Sequence, residues 1–202
     1  MIHNPRPSDK GECPVSAKGP QPSGKLTTWV ALFRGVNVAG KNKLPMALLK
    51  EAFAAAGCQQ VKTYIQSGNA VFAHASSAKQ QLTAQLREQV DTYAGINPFL
   101  LLLSMRAFKN AVENNPFPQQ EIGPKALHFY FLEKHPPHPD LEKLNELKAP
   151  SEQFMLIDQV FYLLAPDGIG RSKLAAAAER HLGVATTARN LNTVNHLADM
   201  LA

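Results

Sequence analysis

The chain has 202 residues and a formal net charge of +5, with 45% hydrophobic and 18% charged residues. This is an ordinary globular composition, which excludes collagen-like and wholly disordered chains, and the length suits one domain or two compact halves. The longest apolar runs, such as Val160 to Ala165, are far shorter than the roughly 18 residues of a membrane-spanning helix. Cys13 and Cys58 form no Cys-x-x-Cys pair, so neither a disulfide framework nor a zinc cage is indicated. We therefore predict a cytoplasmic protein without a membrane segment.

Residues 1–27 differ from the rest of the chain because they hold five Pro, three Gly and three Ser and show no apolar periodicity. Such a segment cannot bury enough apolar surface to fold. It also lacks the apolar stretch of a secretory signal. We predict a flexible tail over residues 1–27, followed by two α+β halves over residues 28–115 and 116–202.

The predicted elements of the first half come in the order βαββαβ. Thr28 to Phe33 is a β-branched and apolar run that predicts a strand ending at Gly35. A helix from Pro45 to Gly57, strands near residues 61–65 and 70–73, a helix after a Ser76-Ser77 cap, and a strand over residues 99–103 follow. This order is that of a ferredoxin-like, split βαβ arrangement.

The second half repeats much of this pattern after a loop rich in Asn and Pro. We predict a strand over residues 126–132, a helix over residues 140–147, and a hairpin around Asp158-Gln159. Ser172 caps a helix through His181, and a last helix covers residues 190–201. The predicted fold class is α+β with two halves of ferredoxin-like βαββαβ-type topology.

The stretch from Gly35 to Asn42 invites a phosphate-loop interpretation, because it follows a strand, precedes a helix and places Lys41 beside Gly40. Asn42, however, stands where a Walker loop has the Ser or Thr that ligates Mg²⁺. The next strands also form a hairpin rather than parallel crossovers. A nucleotide triphosphatase is therefore disfavoured, and a glycine turn or a loop for another anion remains.

Positive charge is concentrated in four segments, residues 34–45, 61–74, 168–174 and 184–198, which contain seven Lys or Arg and no carboxylate. Asn, Gln, Ser and Thr also collect in these segments, and neutral donors with fixed positive charge suit an oxyanion. Residues 168–173, with two glycines, Arg171, Ser172 and Lys173, are the best candidate for an anion-binding site at the start of a helix. The alternative is a capped helix with solvated charges.

Two long motifs make a family resemblance specific. They read Phe33-Arg34-Gly35-Val36-Asn37-Val38-Ala39-Gly40-Lys41-Asn42-Lys43-Leu44-Pro45-Met46 and Thr63-Tyr64-Ile65-Gln66-Ser67-Gly68-Asn69-Ala70-Val71-Phe72. Shorter ones follow at residues 115–118, 171–174 and 186–194. The chain resembles the uncharacterised bacterial family catalogued as domain of unknown function 1697, and this resemblance implies an α+β fold with ferredoxin-like halves. Ala39 departs from the pattern where a glycine is expected, and Leu191 where an aromatic residue, usually Trp, is expected. If that aromatic stacks on a ligand, this member binds differently.

Three functional hypotheses remain open. The first is binding of a phosphate-bearing ligand, either a nucleotide or a nucleic acid, between the two halves. The second is an enzyme acting on a small phosphorylated substrate, and the third is an interaction or scaffold protein whose polar motifs fasten the halves together. We predict no metal site and no cofactor, and the oligomeric state is left open. The predicted ligand-binding residues are Arg34, Asn37, Lys41, Lys43, Gln66, Ser67, Asn69, Arg171, Ser172, Lys173, Arg189 and Asn190.

Overall fold

A computed structural model describes residues 25–38, 40–117 and 123–202. Most of the predicted tail, residues 1–24, and the departure at Ala39 lie outside these ranges. The elements of the first half are β1 (Thr27–Phe33), α1 (Met46–Ala55), β2 (Gln59–Tyr64), β3 (Asn69–His74), α2 (Lys79–Ala94), β4 (Leu100–Ser104) and α3 (Met105–Glu113). Those of the second half are β5 (Leu127–Leu132), α4 (Leu141–Leu147), β6 (Gln153–Ile157), β7 (Val160–Leu164), α5 (Lys173–Leu182), β8 (Thr186–Asn190) and α6 (Leu191–Asp199).

The two halves have the same sheet topology. The first sheet has the strand order β2-β3-β1-β4 and the second β6-β7-β5-β8, and every neighbouring pair is antiparallel. In each half the order along the chain is βαββαβ, followed by one further helix. The prediction of an α+β fold with two similar halves is confirmed, and the strand order is compatible with a ferredoxin-like topology.

Two elements escaped the sequence analysis. Helix α3 starts directly after β4 with no Gly or Pro between them, and Ser104 Oγ caps it by accepting from Ala107 N at 3.2 Å. Strand β8 covers residues that carry Thr, Arg and Asn, so no apolar run marked it. The predicted last helix accordingly begins at Leu191 instead of Asn190. The predicted cap of α2 was also wrong, because α2 follows Ala78 without a side-chain cap.

Each sheet is covered on one face by helices of its own half. In the first half, Trp29, Ala31 and Phe33 of β1 pack against α1 and α2. In the second half, Tyr130 and Leu132 of β5 pack toward α4 and α5. These two clusters are local cores, one for each half.

The opposite faces of the two sheets contribute to one shared core. Val30 and Leu32 of β1 belong to the same cluster as Phe129 and Phe131 of β5. Helices α3 and α6 supply further members, among them Leu191, which is 2% exposed. Because both faces of the central strands are buried, these strands are apolar without alternation. Leu191 lies in this core and is not placed to stack on a ligand.

The two halves also make polar and aromatic contacts. Tyr162 donates its hydroxyl hydrogen to the carbonyl oxygen of Ala111 at 2.7 Å. The rings of Tyr64 on β2 and His196 on α6 are stacked with centroids 3.7 Å apart. Over the described residues, no helix has the length and apolar character needed to cross a membrane.

Candidate functional site

The loop after β1, at its described residues 34–38 and 40–44, is held in shape by two asparagine side chains. Asn37 Nδ2 donates to the carbonyl oxygens of Leu44 at 2.9 Å and Gln66 at 2.7 Å, and Asn37 Oδ1 accepts from Leu44 N at 2.8 Å. Asn42 Nδ2 donates to the carbonyl oxygen of Gly35 at 3.0 Å. Both asparagines have positive φ, 54° and 47°, a region in which Asn is tolerated. Asn37 is therefore a loop-forming residue, whereas Lys41 and Lys43 are exposed.

The turn between β2 and β3, residues 65–68, packs tightly on this loop. A Cβ added to Gly68 would lie 2.6 Å from Cγ2 of Val36 and 2.7 Å from Cβ of Phe33, and its φ is +72°. Only glycine fits such a close approach at positive φ. The exposed Gln66 contributes its carbonyl oxygen to Asn37, so the turn and the loop form one rigid surface.

Arg189 on β8 ties the second half to the first. Its Nε donates to Oδ1 of Asn69, and its Nη2 donates to the carbonyl oxygens of Phe33 at 2.6 Å and Ser67 at 3.3 Å. Its Nη1 donates to Thr187 Oγ1 at 3.0 Å and to the carbonyl oxygen of Ala188 at 2.8 Å. A guanidinium has five N–H donors. All five are engaged within the protein, so Arg189 acts as a clamp.

The charge of Arg189 is not neutralised by a carboxylate. Each of its five acceptors is an uncharged oxygen, and no ion pair involving Arg189 occurs among the described residues. Burial lowers the pKa of Arg189 to about 10, which still leaves it protonated at neutral pH. Asn69, which accepts from Arg189, is 0% exposed and also donates to Ser67 Oγ at 2.9 Å. The base of this region thus carries an uncompensated positive charge.

Arg34 forms a second link between the halves. Its Nη1 donates to Glu179 Oε2 on α5 and to the carbonyl oxygen of Thr186 at 3.1 Å, and its guanidinium lies 5.0 Å from the ring centroid of Phe99. Glu179 Oε2 also accepts from the backbone N–H and the hydroxyl of Thr186. The Arg34 and Glu179 side chains are each 45% exposed, so we expect this pair to be a weak bridge.

A cavity of about 390 Å³ lies between these links. Both halves line it: Arg34, Gly35, Val36 and Ser67 come from the first, and Tyr130, Glu179, Thr186, Thr187 and Arg189 from the second. We call it the inter-half cleft. Burial, and to a lesser extent Glu152, raises the pKa of Tyr130 to about 12, so its hydroxyl stays protonated.

Several donors in the inter-half cleft have no acceptor among the described residues. Ser67 Oγ accepts from Asn69, and Thr187 Oγ1 accepts from Arg189, so each hydroxyl hydrogen is left available. The backbone N–H groups of Gly35 and Val36 likewise donate to no described acceptor. Two hydroxyl groups with an available hydrogen therefore line the cleft beside the half-buried, positively charged Arg189.

Arg171, Ser172 and Lys173 line a different cavity, of about 510 Å³, beside the start of α5. Ser172 Oγ accepts from Ala175 N at 2.9 Å and is the N-cap of α5. Arg171 and Lys173 are exposed. The structure therefore does not place this segment in the inter-half cleft, where the sequence analysis had joined it to Arg34 and Arg189.

The predicted residues thus separate into five groups. Arg34, Ser67 and Arg189 line the inter-half cleft, Asn37 and Asn69 support its walls, and Lys41, Lys43 and Gln66 are exposed on the adjoining loops. Asn190 caps α6 by accepting from Thr193 N at 3.0 Å, and residues 171–173 lie at the second cavity.

Sequence reasoning left Glu179, Thr187 and Tyr130 out of the predicted site. The Thr186-Thr187 pair was visible as a polar run, but Glu179 lies inside a helix and carried no signal. Among the described residues, no group of three or more His, Cys, Asp or Glu side chains is arranged to hold a metal ion.

Comparison with known proteins supports a family assignment. The chain is similar to the conserved bacterial protein SP0830 from Streptococcus pneumoniae, with 26% identity and a TM-score of 0.62, over 88% of this chain and 100% of that structure. No curated protein is significantly similar to it. The model of the family described as "Protein of unknown function (DUF1697)" matches residues 26–162, which is more than half of the chain. The chain therefore belongs to the DUF1697 family.

Proposed function

We propose that the inter-half cleft binds a phosphate-bearing ligand, a nucleotide or a nucleic acid. The observation that carries this proposal is the half-buried Arg189, whose charge no carboxylate among the described residues neutralises and whose bonds leave the hydroxyl hydrogens of Ser67 and Thr187 available. A desolvated cation attracts an anion more strongly than an exposed one does, because solvent screens it less.

The charges around the cleft favour the same ligand class. Two bases, Arg34 and Arg189, line it against one acid, Glu179. Lys41 and Lys43 are exposed on the loop that also supplies Gly35 to the wall. We assign the long-range attraction of phosphate to these two lysines and the short-range hydrogen bonds to Ser67, Thr187 and the amides of the loop.

Arg189 itself is assigned a positioning role. All five of its N–H groups are used, so it has no hydrogen left to donate to a ligand. It orients Thr187 Oγ1 and, through Asn69, Ser67 Oγ. A binding site supported in this way is preorganised and needs little reordering when the ligand enters.

A second candidate function is supported by the same network. Because Arg189 and Arg34 both bridge the halves, the polar motifs are also suited to a scaffold role in which they only hold the halves together. The two functions differ in what removal of a hydroxyl does. In a scaffold, loss of the Ser67 hydroxyl changes stability alone, whereas in a binding site it weakens ligand affinity.

A thermal-shift screen of the full chain tests the proposal. The probes are nucleotides, sugar phosphates, short RNA and DNA, and sulfate, since a ligand that binds only the folded state raises the melting temperature. We expect a selective rise that Ser67→Ala and Lys41→Ala reduce. Lys109→Ala, an exposed lysine on α3, is the matched control for Lys41→Ala and should leave the rise unchanged.

The salt dependence of binding then identifies the ligand class. Several phosphate contacts with a nucleic acid give a steep loss of affinity as salt rises, and one nucleotide gives a shallow loss. If no probe raises the melting temperature, the binding proposal is wrong. If a rise persists in full in Ser67→Ala and Lys41→Ala, the ligand binds outside the inter-half cleft.

A further inference from the structure

A second cavity lies at one corner of the second half, between the loop from α4 to β6 and the loop from β7 to α5. Its volume of about 510 Å³ is within the range of small-molecule sites, and polar and charged side chains dominate its lining. At the corresponding corner of the first half, His74 Nε2 and Gln85 Nε2 both lie within hydrogen-bond distance of the Ala56 carbonyl oxygen.

The charges that line this cavity are balanced. Three acids (Glu146, Glu152 and Asp167) and three bases (Lys148, Arg171 and Lys173) border it. No acid forms an ion pair with any of these bases among the described residues, although Glu146 pairs with Lys143 outside the set. Opposite charges thus share one cavity without touching, and a ligand that carries both signs would satisfy them together.

Glu152 is the most informative of the six. Its residue is 4% exposed, and its Oε2 accepts from Ala149 N at 2.9 Å. Its Oε1 accepts from no donor among the described residues. Among the described residues no cation pairs with this carboxylate, which lines the cavity, so a cationic ligand group would pair with it there.

The positive charge of the cavity is concentrated at the start of α5. Arg171 and Lys173 are exposed there and form no ion pair among the described residues, and α5 adds the positive end of its dipole. Asp167 accepts from Ser151 Oγ at 2.7 Å, which ties the two loops together at the rim. Positive and negative side chains therefore line one cavity, and the Ser151–Asp167 bond joins its two loops at the rim.

We propose that this cavity binds a zwitterion of dipeptide size, with its ammonium group at Glu152 and its carboxylate at Arg171 and the start of α5. The proposal does not rest on the inter-half cleft, which has an excess of positive charge and no unpaired buried carboxylate in its lining. A balanced charge set discriminates against inorganic phosphate, because Glu152 and Asp167 repel it.

The test uses the full chain, with alanyl dipeptides and the free L-amino acids as probes in titration calorimetry. L-Alanyl-L-leucine, its N-acetyl form and its C-terminal amide form a matched set, since each derivative removes one charge. We expect the free dipeptide to bind at least tenfold more tightly than either derivative, which is the scale of one hydrogen bond to a charged group.

Two variants assign the two ends. Glu152→Gln keeps an oxygen for the Ala149 N–H and removes only the charge, so it should abolish the preference for the free dipeptide over the N-acetyl form. Arg171→Gln should abolish the preference over the amide. The exposed residues Glu142 and Lys109 lie outside the cavity, so Glu142→Gln and Lys109→Gln are controls that should bind as the natural chain does.

Two results would overturn the proposal. The first is that inorganic phosphate binds, that no dipeptide or amino acid binds, and that Arg171→Gln weakens the binding of phosphate. The cavity would then be a simple anion-binding site. The other is the absence of binding by every probe, which would leave the six charges as surface groups. The proposal on the inter-half cleft is unaffected by either result, because its probes and variants are different.

Discussion

Replacement of Arg189 by methionine is expected to weaken the contact between the two halves and to lower the free energy of unfolding by a predictable amount. The change removes five hydrogen bonds. Two of the acceptors belong to buried residues, Asn69 (0% exposed) and Phe33 (1% exposed). At roughly 1 to 1.5 kcal/mol for each bond, the loss is about 5 to 7 kcal/mol.

Part of this loss is recovered because methionine carries no charge. Burial lowers the pKa of Arg189 to about 10, and each pKa unit corresponds to about 1.4 kcal/mol, so removal of this half-buried cation returns roughly 3 kcal/mol. The expected net destabilisation is about 2 to 4 kcal/mol, which lowers the melting temperature by roughly 5 to 15 °C for a chain of this size.

The assay is urea unfolding followed by fluorescence and far-UV circular dichroism. Trp29 is the only tryptophan of the chain and lies in the core between the first sheet and its helices, so its fluorescence reports on the first half. Arg171→Met is the matched control, because Arg171 is exposed and makes no hydrogen bond among the described residues; we expect a change within about 0.5 kcal/mol.

A double-mutant cycle isolates the bond between the halves. Asn69→Ala combined with Arg189→Met should destabilise the protein by less than the two single changes together, because both remove the same contact. Equal stability of Arg189→Met and the natural chain, or strict additivity in the cycle, would refute the clamp that we infer for Arg189.

Three further predictions concern single groups. Gly68→Ala should lower the free energy of unfolding by several kcal/mol, because at φ +72° the new Cβ overlaps the side chains packed on this residue. Gly35→Ala, at φ +70° but with open space around the new Cβ, should lower it by about 1 kcal/mol. Equal melting temperatures of the two variants would contradict the tight packing at Gly68. Burial raises the pKa of the Cys58 thiol to about 12. In a Cys13→Ser variant, alkylation of Cys58 at pH 8 should therefore require unfolding. Rapid labelling of the folded variant would contradict this prediction. Burial lowers the pKa of His128, so the unfolded state binds more protons and the free energy of unfolding falls as the pH drops through the ordinary histidine value near 6.5. His128→Gln should flatten that part of the plot of urea midpoint against pH. An unchanged plot would mean that another group causes the loss of stability.

Most regular elements could be predicted from local patterns. The hairpin around Asp158 and the cap at Ser172 were each specified by residues next to one another in the chain, and both are confirmed. Helix α3 and strand β8 were missed for opposite reasons. The first has no boundary signal in front of it, and the polar residues of the second are stabilised by partners on other elements, such as Glu179 for Thr186.

The candidate site was predictable only in its parts. The sequence indicated which segments are basic and polar, and three of the residues that it named, Arg34, Ser67 and Arg189, line the inter-half cleft. It could not show that Arg189 uses all its donors internally, because three of the five acceptors lie more than a hundred residues away in the chain. It also could not separate Arg171 and Lys173 from the cleft, since both regions have the same composition.

The sequence by itself determined the α+β class, the two similar halves and the positions of most strands and helices, because periodicity, caps and turn residues act within a few positions. The tertiary structure decided the roles of the polar residues. Whether an asparagine or arginine binds a ligand or holds the protein together depends on which distant acceptors reach it. That depends on how the two sheets pack through Val30, Phe129 and the helices between them. Long-range packing is set by the whole core, so no single motif contains it.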